Sequence, residues 1–227
     1  MVIGADEAGK ALSVVAIKLA SADILTWEGQ QVLEEQAGRL RKLGGAPAWG
    51  MEVDRNRQVA FHNSVDRNGS AIRISIEGAK IAFEQSGSTD CPVKGLDAAI
   101  VIADATNQPI ARWHIDRANV AEHAQPGPLF HLQFGGHNSG RRDLDFPIKE
   151  PRWCHPPLEI ALLCELVAAN FFHDAWNDNI RDDESWCGAI RLFQRLCWEA
   201  YLLKKLDCIG VSNSTALAQM WADRWSA

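Results

Sequence analysis

Apolar positions change period twice along this chain, dividing it into three zones. Over residues 5–43 they recur at helical spacing. Ala11, Val14, Val15 and Leu19 make one stripe, and Leu33, Ala37 and Leu40 make a second. Two helices are predicted, with Thr26 capping the second and Gly44-Gly45 stopping it. Over residues 49–135 the period shortens to two. Ile72, Ile74 and Ile76 alternate with Arg73, Ser75 and Glu77, as in a half-buried strand, and Asn68-Gly69 before them suits a hairpin turn. Gly78 reads as a break before a second strand over Lys80–Gln85. Ala98–Ala103 is an apolar run suited to a central strand. Thr106-Asn107-Gln108-Pro109 turns it into a strand over Ile110–Asp116, and Phe130–Phe134 makes a further one.

From residue 157 the helical period returns. Pro156-Pro157 predicts a helix start, followed by Leu158–Phe172, apolar on nearly every face. Asp182-Asp183-Glu184 opens a longer helix running to about Leu206, with Trp186, Ile190, Phe193, Cys197 and Tyr201 on its stripe. The Asn- and Asp-rich stretch 170–183 lacks the glycine and terminal glutamate of an EF-hand loop and reads as an exposed connection. Ser212 or Asn213 is expected to cap a last short helix. Strands grouped between helix pairs, rather than alternating with helices, predict an α+β fold. The expectation is one domain over 1–227: N-terminal helices over 1–45, a mostly antiparallel meander of five or six strands over 46–156, and C-terminal helices over 157–227.

Composition adds three constraints. Hydrophobic residues are 47% and charged residues 23% of the 227, which excludes a disordered or disulfide-dense chain. The net charge of −6 argues against a duplex-DNA partner, which needs a basic footprint. Six cysteines without a C-x-x-C pair, no signal-peptide core and no long uncharged apolar run lead to the expectation of a reduced, cytoplasmic, bacterial-type protein without a membrane span. Nine Trp against a single Tyr is unusual. Trp186, Trp198, Trp221 and Trp225 are expected to fill the C-terminal core, with Trp113 anchoring its strand and Trp153 exposed.

The candidate chemistry concentrates in 110–157, which holds His114, His123, His131, His137 and His155. Strand parity puts Arg112, His114 and Asp116 on one side of their strand and Ala111, Trp113 and Ile115 on the other. In the next strand His131 and Gln133 share a side. If the two pair in register, these residues form one polar patch. Beside it stand the glycine-rich loop 135–140 and the segment 146–157, in which four prolines restrict Arg152, Trp153, Cys154 and His155.

Several chemistries compete for the patch. A metal could use His114, His131 and Asp116 or His137, but no H-x-x-x-H or H-E-x-x-H spacing supports it. A Cys154 nucleophile would need His114 or His131 as its base, because adjacent His155 points away. The loop 135–140 lacks the Lys-Ser/Thr ending of a P-loop. Were the protein an enzyme, His114, His131, Asp116 and Cys154 would be the catalytic candidates, but no complete catalytic motif is present. The binding candidates are Arg112, His114, Asp116, His131, Gln133, His137, Arg152, Trp153 and His155. No metal and no cofactor is expected. Glu165, among small and apolar helical neighbours, is expected to pair with Arg191 or Arg195.

Arg112-Trp-His-Ile-Asp116, Gly127–Gly136 with its His-Leu-Gln-Phe core, and Pro151-Arg-Trp-Cys-His-Pro-Pro157, followed by the helix ending Asn170-Phe-Phe172, resemble a module of uncharacterised bacterial proteins. The resemblance covers about residues 110–172 and implies a shared fold, with no activity attached. Similar bacterial proteins often belong to multi-gene systems, antiviral defence among them. Helix–meander–helix order and His155-Pro156-Pro157 ahead of Cys164 also resemble the ubiquitin-conjugating E2 family, although Pro157 departs from its His-Pro-Asn pattern. The leading expectation is a non-catalytic interaction or scaffold subunit docking protein partners in a larger bacterial assembly. The alternatives are a hydrolase or nuclease using the histidine patch, and E2-like or other thiol chemistry.

Overall fold

The structure is a computed structural model describing residues 2–85, 91–118, 127–135, 151–211 and 213–225. Helices α1 (Ala5–Ser21) and α2 (Trp27–Lys42) come first. The strands β1 (Ala48–Glu52), β2 (Val59–Ala60), β3 (Ser64–Val65), β4 (Ala71–Glu84), β5 (Val93–Asp104), β6 (Pro109–Arg117), β7 (Phe130–Phe134) and β8 (Trp153–Cys154) follow. The helices α3 (Ile160–Phe171), α4 (His173–Asn179), α5 (Glu184–Ile209), α6 (Ala216–Gln219) and α7 (Ala222–Trp225) complete the chain. The class is α+β. The eight strands form one antiparallel sheet in the order β1-β4-β5-β6-β7-β8, with β2 and β3 also paired to β4.

The helix caps are set locally. Thr26 Oγ1 accepts from Gly29 N at the start of α2. Gly44, at φ +59°, lies just beyond that helix in the left-handed region where a Cβ is disfavoured. Asp183 caps α5 through Trp186 N, and its carboxylate also meets Lys18 Nζ of α1 at 2.6 Å.

Four expectations are corrected here. Gly78 does not end a strand. At φ +57° it forms a bulge inside the continuous β4, and the pairing with β5 shifts between Glu77 and Lys80. The prolines at 156 and 157 do not start α3. Glu159 does, accepting from Ala161 N at 2.9 Å and Leu162 N at 2.7 Å. The stretch 170–183 contains α4 rather than only a connection. Thr215, not Ser212 or Asn213, caps α6, and α7 follows as a separate turn of helix; Ser212 lies outside the described residues. For β4, α3 and α6 a side-chain acceptor or a left-handed backbone angle outweighed the apolar pattern.

The core is one hydrophobic cluster fed by α1, α2, α3, α5 and the inner face of the sheet. Ile72, Ile74, Ile76, Ile100 and Ile102 contribute from β4 and β5, Ile115 from β6 and Phe130 from β7. Trp49 packs against Phe83 across β1 and β4, with centroids 4.3 Å apart and planes tilted by 37°. Among the described residues no helix is long and apolar enough to cross a membrane.

Candidate functional site

The register of β6 with β7 pairs His114 with Gln133 and Asp116 with His131. The register of β5 with β6 pairs Val101 with Arg112, Ala99 with His114 and Asp97 with Asp116. Because side chains alternate, Arg112, His114, Asp116, His131, Gln133 and Asp97 share one face of the sheet. β4 adds Ser75 and Glu77 to it, opposite Val101 and Ala99.

A chain of alternating imidazoles and carboxylates runs across this face. Asp97 Oδ1 lies 2.8 Å from His114 Nε2, and His114 Nδ1 lies 3.3 Å from Asp116 Oδ2. Asp116 Oδ1 stands 2.5 Å from His131 Nε2, in close contact but off the hydrogen-bonding direction. His131 Nδ1 then donates to the Pro128 carbonyl at 3.1 Å. His131 is only 1% exposed, so this imidazole braces the fold rather than meeting solvent. The His114 hydrogen bond holds the Asp97 carboxyl below the usual carboxylate range, with Arg112 and Arg55 adding smaller attractions.

This geometry limits the chemistry. Both ring nitrogens of His114 face carboxylate oxygens, so neither is open to a substrate proton. Arg55 lies across Gly78, its Cγ 3.2 Å from where a Cβ would stand, and completes a recess with Glu77, Asp97 and Arg112. That recess holds about 10 Å³, the space of a single water. Among the described residues no three His, Cys, Asp or Glu side chains are arranged to hold a metal ion.

The remaining candidates fall elsewhere. Cys154 is opposite His131 in register, but its Sγ is hydrogen-bonded to the Tyr201 hydroxyl of α5 at 3.2 Å. Burial and that contact push the Tyr201 hydroxyl above its usual range. Arg152 lies over Gly127, its Cδ just 3.1 Å from where a Cβ would stand. Trp153 is 64% exposed. His155 sits away from the polar chain, lining an apolar cavity against α3. His137 lies outside the described residues.

Cys164 is fully buried and burial pushes its thiol well up, the opposite of what a conjugating cysteine needs. Glu165 is contacted by Trp186 rather than Arg191 or Arg195, and desolvation raises its carboxyl. Strand parity misses Asp97, Glu77 and Arg55 because pairing across β4, β5 and the bulge brings them to the patch. Asp97 carries one signal, a carboxylate directly before the apolar run that begins at Ala98. Glu159 is also missed: a proline pair beside it draws the expected helix start forward.

The fold and site define an α+β protein with a braced polar sheet face. Comparison with protein-family models, with curated proteins and with solved structures gave no match for this chain.

Proposed function

We propose that this protein is a non-catalytic interaction subunit of a bacterial cytoplasmic assembly, one of the multi-gene systems that include antiviral defence. The observation that carries the reading is an aliphatic ridge on the outer side of α5. Leu202, Leu203, Leu206 and Ile209 are 49%, 57%, 64% and 69% exposed, and 202, 206 and 209 follow helical spacing. The inner side of the same turns is already occupied, with Tyr201 and Cys208 buried. A helix apolar on both sides has a second surface to cover. Covering each ridge residue would contribute about 1 kcal/mol, part of the value for burying a whole aliphatic side chain.

The Cys154–Tyr201 hydrogen bond joins β8 to the occupied side of α5 and leaves the ridge free on the other. The partner that suits this surface is a protein laying an apolar helix along α5. Sedimentation of protein recovered from its native host tests the reading. The wild type is expected to travel with a stoichiometric partner, and the Leu206→Glu/Ile209→Glu variant alone with unchanged circular dichroism. A wild type that sediments alone as a monomer overturns it.

A hydrolytic reading has one observation in its favour, the Asp97–His114–Asp116–His131 chain. It requires the exposed Asp97 to move aside and free His114 Nε2.

A further inference from the structure

Between the inner face of the sheet and α3 lies a cavity of about 220 Å³. Ile100 and Ile115, both buried, form its floor, and Trp113 and Phe171 form aromatic walls with centroids 6.5 Å apart and planes tilted by 48°. Its polar residues are His155 and Asn170; Asn170 is the exposed member and marks the mouth.

The hydrogen bonds of these two residues define what the mouth offers. His155 Nδ1 donates to the Pro156 carbonyl at 2.7 Å, so in the neutral ring Nε2 is an acceptor. The His155 backbone is held in place by its N–H to the Phe130 carbonyl. Asn170 Nδ2 donates to the Leu166 carbonyl at 2.8 Å, which leaves Oδ1 as the acceptor. An apolar chamber whose rim carries two acceptors beside the second Asn170 N–H suits a ligand with an apolar body and a donor head.

Size narrows the class. An apolar cavity of about 150 Å³ accommodates benzene, so this one has room for a fused bicyclic ring. We propose that the cavity is a binding site for a small bicyclic aromatic molecule carrying one N–H or O–H donor. The tilted walls give such a ring edge and face contacts, and its donor reaches the His155–Asn170 rim. The site shares no residue with the α5 ridge, so the two proposals fail or stand separately.

Calorimetric titration of the full chain with indole and 1-methylindole tests it. Indole is expected to bind with a Kd on the order of 100 μM, within the efficiency of ligands this small. 1-Methylindole, lacking the donor, is expected to bind about fivefold more weakly, the worth of one hydrogen bond. In His155→Leu/Asn170→Leu the ratio falls to about one while 1-methylindole still binds, since the apolar chamber remains. Leu166→Trp, which fills the chamber, removes binding of both; should that variant fail to fold, the ratio still decides. Absence of indole binding in the millimolar range, or a ratio unchanged by the double substitution, overturns the proposal.

Discussion

Glu159 shows how much one residue can carry. Its carboxylate caps α3 from a fully buried position, and desolvation raises its pKa to about 7 despite two backbone N–H bonds that favour the charge. The unfolded carboxyl titrates near 4.5, so between that pH and about 7 the folded state binds more protons. Stability therefore falls as pH rises through this window and is flat above it. Glu159→Gln keeps an acceptor for the cap without a charge, and its stability should be level across the window. Above pH 7 the variant should gain up to about 3 kcal/mol over the wild type, the free energy of ionising the carboxyl in its buried place rather than in water. Denaturant melts at a series of pH values measure both slopes, and parallel curves would refute the assignment.

At the level of elements, β4 decides where the polar face stands. Its isoleucine alternation is plain in the sequence, and so is the turn at Asn68-Gly69 before it. The bulge is not, because glycine inside a strand pattern signals a break and a bulge equally. Only pairing with β5 on both sides of Gly78 distinguishes them. Gly78→Ala places a Cβ at φ +57° and 3.2 Å from Arg55 Cγ. A loss of about 1–2 kcal/mol is expected from the left-handed backbone, with Arg55 displaced from Asp97. Thermal melts give the first, and the Asp97 carboxyl resonance, titrating at higher pH without Arg55, gives the second. A fully stable variant would mean that the strand does not need its left-handed glycine.

Across the whole molecule, α1 and the start of α5 are joined through Lys18 and Asp183, 165 residues apart. Lys18 is the largest cause holding the Asp183 carboxyl below its usual range, helped by Ser185 and the α5 cap. A lowered carboxyl stabilises the fold above its unfolded pKa of about 4 and loses that contribution as the pH falls further. Asp183→Asn should therefore lower the melting temperature at neutral pH, and the gap to the wild type should narrow below pH 4. Scanning calorimetry at neutral and acid pH measures this; a gap independent of pH would refute the lowered carboxyl.

Periodicity and turn chemistry by themselves determined the α+β class, the two N-terminal helices, the Thr26 cap and the parity that puts Arg112, His114 and Asp116 on one side of β6. These follow from interactions within a few residues, and such interactions leave a local pattern. Tertiary structure decided the rest. It placed Asp97 against His114, buried His131, set His155 at the apolar cavity, and left the α5 ridge uncovered. Each of those outcomes depends on which residues distant in the chain come to face one another, and a single strand or helix does not encode its own neighbours.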